Sequence, residues 1–148
     1  GTPEETWYES KMRTIRNFKK LILVAVHASS VKFGKTLIQE QEVLNNLTDM
    51  IIEVYVAESL VLRIRKRELV CGADPSGVYT AIMDVFEHDA ADRIRKCAMD
   101  AFLSLDNPEN IPALRKSAEN LTVLSPVNVK EYRRKIAARL IEDNRYHF

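Results

Sequence analysis

The segment from Gln39 to Glu68 constrains the fold of this 148-residue chain more than any other part of it. It contains neither glycine nor proline, and a period of about 3.6 residues aligns a mostly apolar row along one helical face. That row comprises Leu44, Leu47, Ile51, Val54, Glu58 and Val61. Around Met50–Ala57, however, apolar residues surround almost the whole helix. A helix that covers one side of a core needs only a stripe, so we expect this helix to be enclosed on several sides.

The composition is typical of one folded domain. Hydrophobic residues make up 46% of the chain and charged residues 29%, which excludes a disordered protein. We therefore predict that residues 1–148 form a single helical domain. Basic and acidic residues number 22 and 21, so net charge gives no basis for binding nucleic acid. Cys71 and Cys97 lie far apart without a C-x-x-C spacing, which favours reduced intracellular thiols over a disulfide framework.

Helix-start and helix-stop signals divide the chain into predicted helices. The first predicted helix runs from Thr2 to about Phe33, and the second starts after Thr36 and runs to about Leu69. The others are Pro75 to about Leu105, Pro112–Leu121, and Asn128 to near the C-terminus. Predicted caps are Thr2 before Pro3, Asp74 before Pro75, and Asn128 with Glu131 in a capping-box pattern. No segment alternates apolar and polar residues as a strand would. We predict an all-α fold, an antiparallel helical bundle of three long helices plus one short and one C-terminal helix.

No catalytic, cofactor-binding or metal-binding residue can be assigned from sequence patterns. Gly34-Lys35-Thr36 resembles the end of a phosphate-binding loop, but Ser29 occupies a position where that motif requires glycine. The three histidines, His27, His88 and His147, have no second metal ligand at a suitable spacing. No nucleophile–base or carboxylate-pair arrangement supports an independent enzyme.

Several charged residues have predicted partners. Glu58 lies on an otherwise apolar face, where it is either a strongly shifted carboxylate or, as we favour, paired with an arginine of a neighbouring helix. Within the third helix, Asp84 with His88 and Asp89 with Arg93 are spaced for i,i+4 pairs. These pairs indicate surface helix chemistry rather than a site.

The sequence predicts a cytoplasmic protein. Its polar N-terminus, GTPEETWYESK, is unlike a signal peptide. The longest apolar run, Leu21–Val26, is much shorter than the roughly 20 residues that cross a bilayer. The basic clusters Arg63–Arg67, Arg93–Lys96 and Arg133–Lys135 are interpreted as solvated helix faces. Association of these clusters with an anionic membrane surface is the weaker alternative.

The stretch Lys11–Glu68 carries a family resemblance. A basic and apolar helix (IRNFKKLILVAV) and a Gly-Lys linker precede a helix led by glutamine and glutamate (QEQEVLNNLTDMIIEVYVAES), which ends in arginines. This pattern resembles the C-terminal extension of very-long-chain acyl-CoA dehydrogenases and their bacterial relatives. The positions that carry it are Gln41, Glu42, Leu44, Leu47, Asp49, Tyr55 and Arg63. The end of the chain, KEYRRKIAARLIEDNRYHF, is similar to bacterial members.

The resemblance implies that the parent protein is a flavoenzyme of fatty-acid β-oxidation. In this family of oxidoreductases, a glutamate removes the α-proton of an acyl-CoA while the β-hydride passes to FAD. Those catalytic and flavin-binding segments lie upstream of the extension, so the resemblance implies no catalytic or FAD-binding residue here. Gly1-Thr2 lacks the glutamate that precedes a Gly-Thr pair in the family. Since the chain begins at Gly1 without Met, we expect a C-terminal fragment that is inactive alone.

The excess apolar surface of the first two helices predicts an interface. Its predicted residues are Leu21, Leu23, Val26, Met50, Ile52 and Val56. The resemblance implies that this interface covers the upstream catalytic domains of the same chain or supports a homo-oligomer, in the simplest case a dimer. The alternative is an autonomous helical interaction or oligomerisation module unrelated to acyl-CoA.

Overall fold

A computed structural model describes residues 4–146, which form five α-helices and no β-strand. The bounds are Trp7–Phe33 (α1), Gln41–Cys71 (α2), Val78–Leu103 (α3), Ile111–Leu121 (α4) and Val129–Asp143 (α5), with a 3-10 turn at Gly34–Gln39. The predicted all-α fold, with three long helices, a short one and a C-terminal one, is confirmed.

The first helix begins later than predicted. The Thr6 hydroxyl accepts a hydrogen bond from the Glu9 N–H (3.2 Å), and the Glu9 carboxylate accepts one from the Thr6 N–H (2.9 Å). This capping box satisfies two backbone donors at once and fixes Trp7 as the first helical residue. The predicted start at Thr2 is therefore wrong, because residues 4–6 precede the helix; Thr2 and Pro3 themselves lie outside the described residues.

The connection between α2 and α3 also differs from the prediction. Asp74 does not cap α3; its carboxylate accepts hydrogen bonds from the N–H (3.0 Å) and hydroxyl (2.8 Å) of Ser76, which closes a local turn. Gly77 occupies the N-cap position instead, with a φ of 68°. This left-handed conformation favours glycine, so α3 starts at Val78 rather than at Pro75.

Contacts between α1 and α2 show that they run antiparallel. The Arg65 guanidinium lies 3.8 Å from the ring centroid of Tyr8, and Lys19 pairs with Glu58 at 2.9 Å. The start of α1 therefore lies beside the end of α2. Glu58 has a partner on a neighbouring helix as predicted, but that partner is a lysine and not an arginine.

Contacts between α2 and α3 show that these two helices also run antiparallel. Arg93 of α3 donates two hydrogen bonds to the Glu53 carboxylate of α2, at 2.7 and 2.9 Å. Near the other end of the pair, the Arg67 guanidinium lies 4.0 Å from the ring centroid of Tyr79. Because α2 packs against both α1 and α3, part of its apolar surface meets two neighbours. The predicted enclosure is incomplete, since Ile51, Ile52, Tyr55 and Val56 of the wide apolar stretch stay exposed in this domain.

The core residues of α2 recur at intervals of three and four. They are Val43, Leu47, Met50, Val54, Ala57, Val61 and Ile64. This spacing is typical of helices that pack at small angles in a bundle. Of the apolar row predicted for α2, the burial of Leu47, Val54 and Val61 is confirmed. Leu44 is only half-buried, and Ile51 is 51% exposed. The buried stripe is displaced toward α3, with which α2 makes its larger contact.

Phe18 of α1 and Phe102 of α3 are the largest fully buried side chains. Many of the buried residues of α3, by contrast, are alanines. These are Ala81, Ala90, Ala91, Ala98 and Ala101. Small side chains allow neighbouring helices to approach closely, while the two phenylalanines fill the remaining volume.

Helix α1 with the following turn, Trp7–Gln39, is the one described segment whose length and apolar content would also suit a membrane span. The sequence did not predict a segment of this kind, because the longest uninterrupted apolar run in the chain is only Leu21–Val26. The core helix of a bundle passes the same test. Since Ile15, Phe18 and Leu21 are fully buried against the other helices, we describe α1 as a bundle helix.

A buried polar cluster joins α1 to α3. Lys11 forms ion pairs with Asp84 and, at 3.2 Å, with Glu87, whose side chain is almost fully buried. Asp84 therefore pairs across helices and not with His88 as predicted. Burial raises the pKa of Glu87 although Lys11 acts in the opposite direction. Burial acts to lower the pKa of Lys11, but Glu87 and Asp84 together hold it above its ordinary value.

Helix α4 packs against α1 and α3. Its Ala118 is fully buried. At its end, Arg95 of α3 donates hydrogen bonds to the Thr122 hydroxyl (2.8 Å) and carbonyl (3.2 Å). These bonds satisfy polar groups at the helix end that would otherwise be buried without a partner.

Helix α5 packs on α3. Its N-cap is confirmed, because the Asn128 side chain accepts a hydrogen bond from the Glu131 N–H at 3.2 Å. Arg133 of α5 binds both carboxylate oxygens of Asp89 at 3.1 Å. The predicted pair of Asp89 with Arg93 is therefore wrong, since each residue has a partner on another helix.

We expect Phe18→Ala to lower the free energy of unfolding by roughly 3–5 kcal/mol, because it leaves a cavity at a fully buried position of the core. Val31→Ala is the matched control on the same helix; Val31 is 73% exposed, so its truncation should change the value by less than about 0.5 kcal/mol. Urea denaturation measures both. Equal losses would contradict the assigned core.

The raised pKa of Glu87 predicts a pH dependence of stability. A carboxyl group that binds its proton more tightly in the folded state loses stability as pH rises from its ordinary pKa of 4.5 through the raised value. Relative to Glu87→Gln, the wild-type free energy of unfolding should therefore fall across this window. Urea denaturation at a series of pH values measures the difference, with Glu131→Gln as control. A wild-type protein that gains relative stability as pH rises would refute the assignment.

Candidate functional site

The side chains most suited to chemistry are dispersed over the bundle. Among residues 4–146, no group of three or more His, Cys, Asp or Glu is placed to hold a metal ion. His27 lies on α1 and His88 on α3, and His147 lies outside the described residues. Cys71 and Cys97 are free thiols. Burial raises the pKa of the Cys97 thiol and Asp49 acts in the same direction, which disfavours the reactive thiolate.

Glu87 is the one buried carboxylate of the described residues, and the sequence analysis did not single it out. Its Oε1 atom accepts a hydrogen bond from Lys11, while its buried Oε2 atom has no protein partner. A detectable signal was its position in α3, between Met83 and Ala90, which are both fully buried. Perturbed carboxylates occur at active sites and in structural ion pairs alike. Here the direct partner is a lysine that connects two helices, so we assign Glu87 to the fold.

The six residues predicted to form an interface divide into two groups. Leu21 and Met50 are fully buried in the core, and including them was wrong because each belongs to the stripe that faces the neighbouring helices. Val26 is half-buried. The side chains of Leu23 (68% exposed), Ile52 (52%) and Val56 (40%) reach the surface.

An exposed apolar surface extends along α2, on the side that neither α1 nor α3 covers. We call it the outer face; its α2 residues are Ile51, Ile52, Tyr55, Val56 and Leu62, each at least 40% exposed. Leu23 of α1 lies one turn beyond Lys19, whose partner is Glu58. Because the two helices are antiparallel, this register places Leu23 beside the part of α2 that carries Tyr55.

The outer face is suited to binding a protein surface. Large aliphatic side chains surround a tyrosine, a combination enriched at the centres of interfaces. The Lys19–Glu58 ion pair lies at its border with α1, where partly exposed charges contribute more to orientation than to affinity. Contiguous apolar patches on monomers commonly mark interaction sites.

A separate groove lies between α2, α3 and α5 and has a volume of about 590 Å³. Apolar side chains form most of its walls, including Ile64, Ile82, Phe86, Ile136 and Leu140. Three arginines and one aspartate also line it, namely Arg63, Arg67, Arg93 and Asp89. The arginines were predicted to lie on solvated helix faces. Their place in a groove follows from the approach of α2, α3 and α5, which the sequence pattern does not reveal.

Comparison with known proteins gives consistent matches. Residues 17–113, more than half of the chain, match the family model described as the acyl-CoA dehydrogenase C-terminal domain. A probable acyl-CoA dehydrogenase of Bacillus subtilis (strain 168) is 28% identical over 138 residues, which are 93% of this chain and 23% of that protein. A crystal structure of an acyl-CoA dehydrogenase complexed with FAD, from Bacillus anthracis, is 30% identical with a TM-score of 0.87.

That structure is matched over 93% of this chain and 24% of its own length. The chain therefore spans about a quarter of the length of each of these relatives. The TM-score of 0.87 shows that the likeness covers the fold as well as the sequence. Since the family model matches more than half of its residues, this chain belongs to the acyl-CoA dehydrogenase C-terminal domain family.

Proposed function

We propose that this chain is a non-catalytic domain of an FAD-dependent acyl-CoA dehydrogenase, and that its outer face docks on the catalytic domains of the same polypeptide. The exposed outer face carries this proposal. Leu23, Ile52 and Val56 remain in water when the bundle is considered alone, and such a patch on a small domain favours a partner surface. The relatives are about four times longer than this chain, and the additional part of such a protein would supply that surface.

The proposal assigns the chemistry to the catalytic domains. The Bacillus anthracis relative is complexed with FAD, which supports a flavin in the parent enzyme. We assign FAD binding and oxidation of the acyl-CoA to the catalytic domains, and no catalytic role to this chain. The resemblance of Lys11–Glu68 supports the finer part of the proposal, a very-long-chain acyl-CoA substrate and a role in fatty-acid oxidation.

The same outer face could support a dimer of the parent enzyme, and we include this role in the proposal. We place the parent enzyme in the cytoplasm, with contact to a membrane surface as the alternative that the basic clusters suggest. The hypothesis of a module unrelated to acyl-CoA dehydrogenases does not hold, because the family match covers residues 17–113.

Leu23→Glu and Val56→Glu should each weaken binding of this domain to the separately expressed catalytic part of its parent. A charge buried at an apolar interface is costly, so we expect at least about a tenfold increase in Kd. Sedimentation velocity measures both this complex and self-association. Thermal melting should show little loss of stability, because both side chains lie at the surface of the bundle.

Ile141→Glu is the matched control. Ile141 is 79% exposed on α5, away from the outer face, so this variant should bind as the wild type does. A monomeric wild-type domain that fails to bind the catalytic part would refute the docking role. Variants that unfold would show that Leu23 and Val56 belong to the core.

The purified chain should be colourless and should not dehydrogenate an acyl-CoA, since the proposal assigns flavin and catalysis to other domains. Absorbance spectra after gel filtration with added FAD measure this. The full-length parent, prepared in the same way, is the control and should retain a flavin band. A flavin band that stays with the isolated chain would contradict the assignment.

A further inference from the structure

We propose that the groove between α2, α3 and α5 binds a long-chain fatty carboxylate. The acyl chain would lie against the apolar walls, and the carboxylate would meet the arginines of α2. This site is separate from the outer face of α1 and α2, and it does not depend on the docking role of that face.

The dimensions of the groove fit this class of ligand. Its volume of about 590 Å³ lies in the range of roughly 300–1,000 Å³ that is usual for small-molecule sites. The wall residues Ile82, Phe86, Ile136 and Leu140 are half-buried, so each presents apolar surface to the groove. A ligand chain that covered this surface would remove it from water.

The charges favour a negatively charged ligand. Asp89, the one acidic side chain among the described residues that line the groove, binds Arg133 at 3.1 Å. Arg93 is likewise occupied, because it donates two hydrogen bonds to Glu53. Arg67 holds its guanidinium against the face of the Tyr79 ring, 4.0 Å from the centroid. Among the described residues it forms no ion pair with a carboxylate, although Asp74 lies close enough to be affected by its charge.

Arg67 is the side chain suited to bind the ligand carboxylate. Stacking on Tyr79 holds the planar guanidinium in one orientation and leaves donors along its edge. Arg63 lies one helical turn earlier on α2 and lines the same groove. An arginine can bind a carboxylate through two parallel hydrogen bonds, and a neutral head group could not form these charge-assisted bonds.

The position of Arg67 also sets the direction of the ligand. Arg67 and Tyr79 lie where α2 ends and α3 begins. A ligand with its carboxylate there would extend its chain along α3, past Ile82 toward Phe86. On the opposite wall, α5 contributes Leu140 and Ile136.

Isothermal titration of the whole chain with dodecanoate, below its micelle concentration, tests the site. We expect saturable binding, with methyl dodecanoate at least about tenfold weaker because it lacks the charge. Arg67→Gln should raise the Kd for dodecanoate by about tenfold and leave binding of the ester unchanged. Ile136→Trp should weaken binding of both ligands, because a larger side chain fills the groove.

Arg16→Gln on α1 and Ile141→Trp on α5 change the same residue types outside the groove and should bind as the wild type does. Circular dichroism verifies that each variant is folded. If Ile136→Trp unfolds, the Arg67→Gln variant and the comparison with the ester still test whether the groove binds a fatty carboxylate. Absence of saturable binding would overturn the proposal. Equal affinity for dodecanoate and its ester, or unchanged binding by Arg67→Gln, would also overturn it.

Discussion

The position of α2 between two antiparallel neighbours determines most other features of this domain. Core residues at intervals of three and four, such as Val54, Ala57 and Val61, keep one side of α2 continuously buried along its length. The α1 flank of this helix and its α3 flank are then both occupied. The remaining side is left to solvent, and that side carries Tyr55 and the rest of the outer face. The outer face is thus a geometric consequence of the bundle.

Ion pairs between helices define the register in which these surfaces meet. Lys19–Glu58 aligns α1 with α2, and Glu53–Arg93 aligns α2 with α3. Their side chains are partly exposed, so each pair contributes modestly to stability. Their larger effect is to disfavour alternative alignments, since a shift by one turn would separate the opposite charges. Lys11, which is largely buried, adds a stricter constraint, because a charged group removed from water must keep its partners.

The two candidate surfaces differ in physical character, and this supports different roles. The outer face is apolar with charges at its border, as expected for contact with a folded protein. The groove is concave and has an apolar floor with arginines of α2 and α3, as expected for a small anionic amphiphile. A domain in the acyl-CoA dehydrogenase C-terminal family could use both at once, because they lie on different sides of α2.

The sequence by itself determined the helices, their approximate ends and the family resemblance, because helix periodicity, glycine and proline act over short distances. It also predicted an exposed apolar surface, from the apolar width around Met50–Ala57. The sequence could not separate core residues from surface residues within this stretch. Met50 was therefore predicted at the interface although it is buried in the core. The α2–α3 contact is larger than the α1–α2 contact. It decided which side of α2 became part of the core. The partners of Asp84 and Asp89 were also decided by tertiary structure, because charges on neighbouring helices approached more closely than those one turn away.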